Sequence, residues 1–391
     1  MRDLWCIILY FLQKCQKSTE DVMIIYAFYQ EGSTAHWVSR YIKGIKEEAK
    51  RKNNEVKVIE CGLDSSLFPE GIETIGTAIV ISGTYNWTRG ICSMLANRGI
   101  KAVVIGYDST DDISATGYVL MDYKKAIYDL LDYYISCGRK RVALFAVSLE
   151  SPADKIKTEA FLSYRGRGGE FFEQKDIFYF RGMTRSTCES FISVCSDYDA
   201  VIGTNDVSTV ILLQMLGASG IKVPDDIFVA AFGDTYLSKS TTGELTLSLL
   251  DCKSVGVQAV KMNRQLANSN NISSVVLKLA CETDIRASTA NIPMSRLRSA
   301  IHSDKDGTAH SSFFADPHVS EIVLAEQLLG KCDSLDLEIM RSLINKEKYI
   351  DIADKLHVSE NTVKYRIKRL LTFAKLESRT ALTDLMKGYL S

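Results

Sequence analysis

The sequence predicts an α/β protein: a two-lobed body of parallel sheets flanked by helices, followed by a small all-α module at the C-terminal end. Three observations predict it. From Val22 to about Arg286, short β-branched runs alternate with amphipathic helical stretches, which implies parallel sheets with right-handed crossovers and helices on both faces. That span of 265 residues is generous for one sheet and comfortable for two lobes. The last sixty or so residues instead read as short helices joined by tight turns.

Taken in order, the chain opens with the apolar run Trp5–Leu12. It is shorter than the ~20 residues a bilayer span needs, and Asp3 and the lack of a small-residue cleavage site make it a poor leader. Residues 1–20 are read as an added helix that docks on the body or on a dimer partner, unless the native start lies further in. Buried strands are expected at Val22–Phe28, Val56–Ile59, Ala78–Ser82, Ala102–Ile105, Val142–Phe145, Ala200–Ile202 and Ile227–Phe232. Helices such as His36–Lys52, Tyr123–Cys137 and Val207–Ser219 fill the gaps, and residues 21–289 make up the body. A polar stretch, Asn291–His310, then opens a linker over 290–333. The linker carries a helix at 318–330, whose Ile322, Leu324, Ala325, Leu328 and Leu329 suit a dimer contact or a spacer.

Composition narrows the function. The 47 basic residues nearly balance the 48 acidic ones, so the chain as a whole has no attraction to polyanions. Residues 335–391, however, hold 11 Lys or Arg against 8 Asp or Glu, leaving 36 against 40 elsewhere. A mildly basic tail on a mildly acidic body fits a nucleic-acid module attached to something else. The ten cysteines stand singly, without a Cys-x-x-Cys pair or a histidine at ligand spacing. This argues for a reducing, cytoplasmic setting and against a metal or disulfide framework; Cys188 and Cys195 are read as packing residues. No dinucleotide-type Gly-x-Gly-x-x-Gly follows a strand, Gly166–Gly169 reads as a loop, and no Ser, His and Asp set presents a nucleophile. An enzyme is therefore not expected, and no catalytic residue, metal or cofactor is assigned.

The most informative segment is Tyr349–Leu371. Its first helix places Ile350, Ala353 and Leu356 at spacing three, with Asp351, Asp354 and Lys355 facing water. After the turn His357–Ser359, Ser359 is suited to cap a second helix from Glu360, with Val358 and Val363 as a hydrophobic staple. In that helix Val363, Ile367, Leu370, Leu371 and Ala374 share one face, and Asn361, Lys364, Tyr365, Lys368 and Thr372 the other. Asn361, Lys364, Tyr365 and Lys368 suit base edges, and the flanking Arg366 and Arg369 suit phosphates. This is the pattern of a helix-turn-helix reader of double-stranded DNA. One such helix contacts few base pairs, so a homodimer is expected.

Residues Leu335–Leu390 resemble the LuxR/GerE-type helix-turn-helix. The likeness rests on the helix Leu335–Ile344, on Ile352-Ala353 with Leu356, on Val358-Ser359 and Thr362–Lys364, and on Arg379 with Ala381 in a last helix. The usual glycine ahead of the first motif helix is missing, and Arg366 stands where histidine is common. Residues Asn361–Arg366 also resemble the related PucR-type module.

The body resembles the LacI family. Asp199–Asp206, Gly220–Asp234, Cys281–Thr289, Met121–Ala126 and Gly138–Val142 carry the likeness. It implies a two-lobed periplasmic-binding-protein-like sensor with a small-molecule effector, a carbohydrate or derivative, held between the lobes. By the same resemblance Trp37 is the sugar-stacking aromatic, Asp122 the carboxylate opening the interlobe helix and Asn205 the side-chain amide. Lys157 stands where the family has an arginine, and keeps the charge without the planar fork. Gly233 stands where the family has an aspartate, with Asp234 displaced by one residue. The alternatives are a degenerate site answering to a protein partner, or a solute-binding receptor, which would need an export signal. Family repressors carry their DNA module at the amino end; here the module, 334–391, is at the other.

Overall fold

The structure, a computed structural model, describes residues 23–31, 36–63, 72, 76–106, 115–166, 168–233, 235, 245–269, 271–290 and 316–390. The run Trp5–Leu12, Asp234 and the stretch 291–310 lie outside them. The described chain divides into two compact units, with passages at 120/121, 251/252 and 278/279.

The first unit is built on a six-stranded sheet of order β11-β5-β4-β3-β1-β2, with β1 Ile24–Gln30, β2 Glu55–Cys61, β3 Thr77–Ile81, β4 Lys101–Ile105, β5 Gly117–Met121 and β11 Val275–Leu279. β1 pairs in parallel with β2 and β3, and β4 with β3 and β5. Strands β3 and β5 are buried along their whole length, as parallel strands covered on both faces must be. Helices α1 (His36–Arg51), α2 (Tyr85–Ala96) and α7 (Cys252–Ala267) belong to this unit. Thr84 caps α2, and the ring nitrogen of Trp87, buried in the apolar core, donates to Cys61 O at 2.9 Å.

The second unit holds a sheet of order β12-β10-β9-β8-β6-β7, from β6 Val142–Val147, β7 Ile177–Tyr179, β8 Ala200–Gly203, β9 Phe228–Gly233, β10 Thr246–Leu249 and β12 Glu282–Asp284. All pairings are parallel except β10 with β12. Asp122 caps α3 (Tyr123–Ser136), whose Tyr123, Ala126, Ile127, Leu130, Leu131 and Tyr134 form the buried stripe. Helices α4 (Pro152–Ser163), α5 (Thr184–Ile192) and α6 (Asp206–Ala218) complete it. Helix α6 is apolar almost all round and is buried from Asp206 through Leu213. β9 and α5 pack on it, and so does α8 (Pro317–Leu329) from further along the chain.

Helices α9 (Ser334–Ile344), α10 (Tyr349–Lys355), α11 (Glu360–Ala374) and α12 (Arg379–Leu390) follow α8 in the same unit. One apolar cluster runs from Phe145, Val201 and Val229 through Leu212, Leu216, Val319 and Ile322 to Ile339, Ile352, Val363, Ile367 and Leu382. Asp316, 1% exposed, ties the seam: its carboxylate accepts from His318 N, capping α8, and from Thr184 N at the start of α5. The spacing-three stripe of the first motif helix needs correction. Ile350 is 56% exposed, and Ile352 and Ala353 are the residues that α10 buries.

Candidate functional site

The turn between α10 and α11 is closed by its backbone. Val358 N donates to Ala353 O at 3.0 Å while His357 takes the left-handed conformation, φ 55°. Ser359 Oγ then accepts from Thr362 N at 3.0 Å, so α11 begins at Glu360. Val363, Ile367, Leu370 and Ala374 point into the core, and Asn361, Lys364, Tyr365 and Lys368 are exposed on the outer side. Lys364 pairs with Glu360 one turn back, at 2.8 Å. The side chains of Asn361, Tyr365 and Lys368 make no hydrogen bond or ion pair among the described residues, and Tyr365 is 68% exposed.

Arg366 and Arg369 were expected to flank this face as phosphate contacts; the structure turns them to α9 instead. Arg366 donates to Asp333 at 2.7 and 2.8 Å and to Asp336 at 2.9 Å, and Arg369 pairs with Asp336, which is fully buried. Asp333 and Asp336 form the capping box that starts α9. The Arg366 hydrogen bond holds the Asp333 carboxyl at about 2, well below its ordinary range. The two arginines thus fasten the reading helix to its neighbour, Arg369 remaining 44% exposed, while Lys364 and Lys368 are the exposed cations of the outer face.

The residues expected to hold a ligand are placed as follows. Trp37 lies on α1 in the first unit, partly exposed. Asp122, Lys157 and Asn205 belong to the second unit, and each has internal work. Asp122 accepts from Lys125 N at 3.2 Å, and Asn205 Oδ1 accepts from Ser208 N at 2.8 Å; both are helix caps. Lys157, 4% exposed, donates to Asp154 Oδ1 at 3.0 Å and to Thr204 O at 2.7 Å. Its Nζ also lies 4.8 and 4.9 Å from the ring centres of Tyr123 and Phe232.

Asp154 and Thr204, which the sequence reading passed over, complete this network, and Asp206 is a further buried polar residue of the second unit. Asp154 also accepts from Ser148 N at 3.0 Å. Thr204 Oγ1 donates to the carbonyl of Ala146, which sits in the left-handed region at φ 59° where the β6–β7 register shifts. Asp206, 2% exposed, accepts from Thr235 N and Oγ1. A Cβ on Gly233 would lie 2.0 Å from the Asp206 carboxyl carbon, so the carboxylate occupies the space that a side chain at 233 would need. The Ser151-Pro152 helix start and the Asn205-Asp206 pair were visible signals for two of these residues.

Among the described residues no helix is long and apolar enough to cross a membrane, and no group of His, Cys, Asp and Glu could hold a metal ion. Residues 131–289 match the family model of a periplasmic binding protein-like domain. The chain is similar to catabolite control protein A of Priestia megaterium, with 24% identity over 191 residues, 46% of this chain and 55% of that protein. It spans about half the length of the curated relatives it matches. Among solved structures it resembles the transcriptional regulator CelR–cellobiose complex, with TM-score 0.57 and 16% identity over 71% of this chain and 88% of that one. It also resembles the lac repressor dimer bound to operator and the anti-inducer ONPF, with TM-score 0.57 and 16% identity over 72% and 97%. Residues 131–289 are thus similar to a periplasmic binding protein-like domain, and the body shares its fold with the solved regulators named above.

Proposed function

We propose that the protein is a cytoplasmic, homodimeric transcriptional regulator that reads double-stranded DNA through α11 and senses a small molecule through its periplasmic-binding-protein-like domain. The observation that carries the reading is the outer face of α11. Asn361, Lys364, Tyr365 and Lys368 are exposed on a helix whose opposite side is locked into the core, and whose flanking arginines are spent on α9. A helix held this firmly can enter a major groove as a rigid body, with the two lysines and the amide as donors to bases and phosphates. The order α9, α10, α11, α12 with the Ser359 cap supports a LuxR/GerE-type module. The regulators that the body resembles support an effector of the carbohydrate class, cellobiose being bound in one of them.

The test is a genome-wide DNA pull-down with the full chain, followed by anisotropy titration of the enriched sequence. Lys364→Ala with Lys368→Ala should weaken binding by about tenfold or more and flatten the salt dependence by about two charges. Unchanged affinity would remove this face from the interface. A second reading concerns the effector. Lys157, Asp122 and Asn205 are all engaged internally, which favours a second unit answering to something other than a sugar. If Trp37→Ala left a carbohydrate-induced thermal shift intact, the aromatic would be excluded from the site; if no carbohydrate shifted the wild type, the second reading would stand.

A further inference from the structure

Within the first unit, α1 and α7 run side by side with their backbones almost in contact. A Cβ on Gly44 would lie 2.1 Å from Lys253 O, and one on Gly256 2.2 Å from Tyr41 O, an approach that glycine alone permits. The middle of α1 thus meets the first turns of α7, and further along Glu48 and Arg51 share one recess with Lys261 and Arg264. The C-terminal ends of the two helices therefore finish together around a recess of about 370 Å³. Its wall carries four cations, Arg51, Lys52, Lys261 and Arg264, against one acid, Glu48.

Cations at helix C-termini ordinarily offset the unpaired carbonyls there. Here other groups do that. At α1, Lys52 N and Asn54 N close on Ala49 O, and Asn53 N, in a left-handed residue, closes on Lys50 O. At α7, Lys101 reaches over from β4 to donate to Leu266 O at 3.2 Å and Ser269 O at 2.5 Å, and Asn268 N closes on Arg264 O.

Glu48 does not neutralise the recess either. It is 5% exposed and takes two hydrogen bonds from Arg51, each 2.7 Å. That pair, followed by the more distant charges of Lys261 and Lys52, holds its carboxyl below the ordinary range. The effect is to fix the Arg51 guanidinium in place. The side chains of Lys52, Lys261 and Arg264 make no hydrogen bond or ion pair among the described residues, so three positive charges remain in surplus. Gln265 and Asn268 add amide groups to the same wall. A single carboxylate would answer one such charge; a phosphate group, with acceptors on every side and up to two negative charges, answers several.

We propose that this recess binds a phosphate-bearing small molecule, with Lys52, Lys261 and Arg264 contacting the anion beside a preset Arg51. The site is independent of the DNA reading. Calorimetric titration of the full chain at fixed ionic strength tests it with inorganic phosphate, pyrophosphate and glucose 6-phosphate, glucose serving as the uncharged control, against Lys261→Ala/Arg264→Ala. Saturable binding of a phosphate ligand, weakened about tenfold or more in the variant with its unliganded melting temperature unchanged, is the expected result. Pyrophosphate binding would mark free phosphates as the source, and preference for glucose 6-phosphate an ester. Lys52→Ala carries the same comparison if the double variant does not fold. Equal affinity in wild type and variant, or no saturation by any of the three up to about 10 mM, would overturn the proposal.

Discussion

A buried ammonium is tolerated when its donors are met, and at Lys157 a carboxylate, a carbonyl and two aromatic faces meet them. Lys157→Met should cost about 3 kcal/mol in urea unfolding, because Asp154 is left charged and buried without its counter-ion. Adding Asp154→Asn should recover much of that loss; a single-variant cost under about 1 kcal/mol would show that the pair does not hold this corner together. Asp333 gives a pH test. Its folded value of about 2 lies below the ordinary carboxylate value, so its stabilisation is present above about pH 4 and is lost as pH falls through 2. The melting-temperature gap between wild type and Asp333→Asn should therefore be open at neutral pH and narrow steadily between about pH 4 and pH 2. A gap that is constant over that range would rule out the ion pair as its source. The same residues mark where side-chain roles stopped being legible. Helical periodicity separates the outward Lys364 and Lys368 from the inward Val363 and Ile367, but it puts Arg366 and Arg369 on a flank. What a flank meets depends on a neighbouring helix, here the acids of α9 thirty and more residues earlier.

At the scale of elements, local chemistry was the better guide. The Ser359 cap and the helix start at Glu360 follow from one hydroxyl and the apolar period after it. Ser359→Ala should destabilise the C-terminal helices by about 1 kcal/mol and speed amide exchange at Thr362 and Val363; unchanged exchange there would show that the backbone turn suffices. Continuous apolar runs such as Ala78–Ile81 and Phe228–Phe232 announced buried parallel strands for the same reason, since both faces of each are covered. β7 and β12, at three residues each, are too short to show any period, and they exist because a long neighbour offers them an edge. β11 is mostly exposed, so burial never shaped its pattern. The choice of Ile350 over Ile352 failed because a seven-residue helix barely completes two turns, and either isoleucine fits a stripe of that length.

At the scale of the whole molecule, a polar stretch and a change of composition made the C-terminal module look like a bead on a linker, whereas α8 continues the apolar core of the second unit into it. Sequence periodicity could not reveal this, because α8 and α6 are apolar on more than one face and neither pattern says what the second face meets. The consequence concerns cooperativity. Val319 and Ile322, 0% and 4% exposed, sit in the cluster shared by the second sheet and the reading helices. Changing both to alanine should cost about 3 kcal/mol or more, and hydrogen-exchange mass spectrometry will show where the loss falls. If the seam is continuous, peptides from α5 and α6 and from α9 to α12 will lose protection together. DNA affinity would then fall with the stability of the second unit even though Lys364 and Lys368 are untouched. If protection falls in α8 to α12 alone, the reader is an autonomous module that merely rests on the body, and α8 with Asp316 is a spacer.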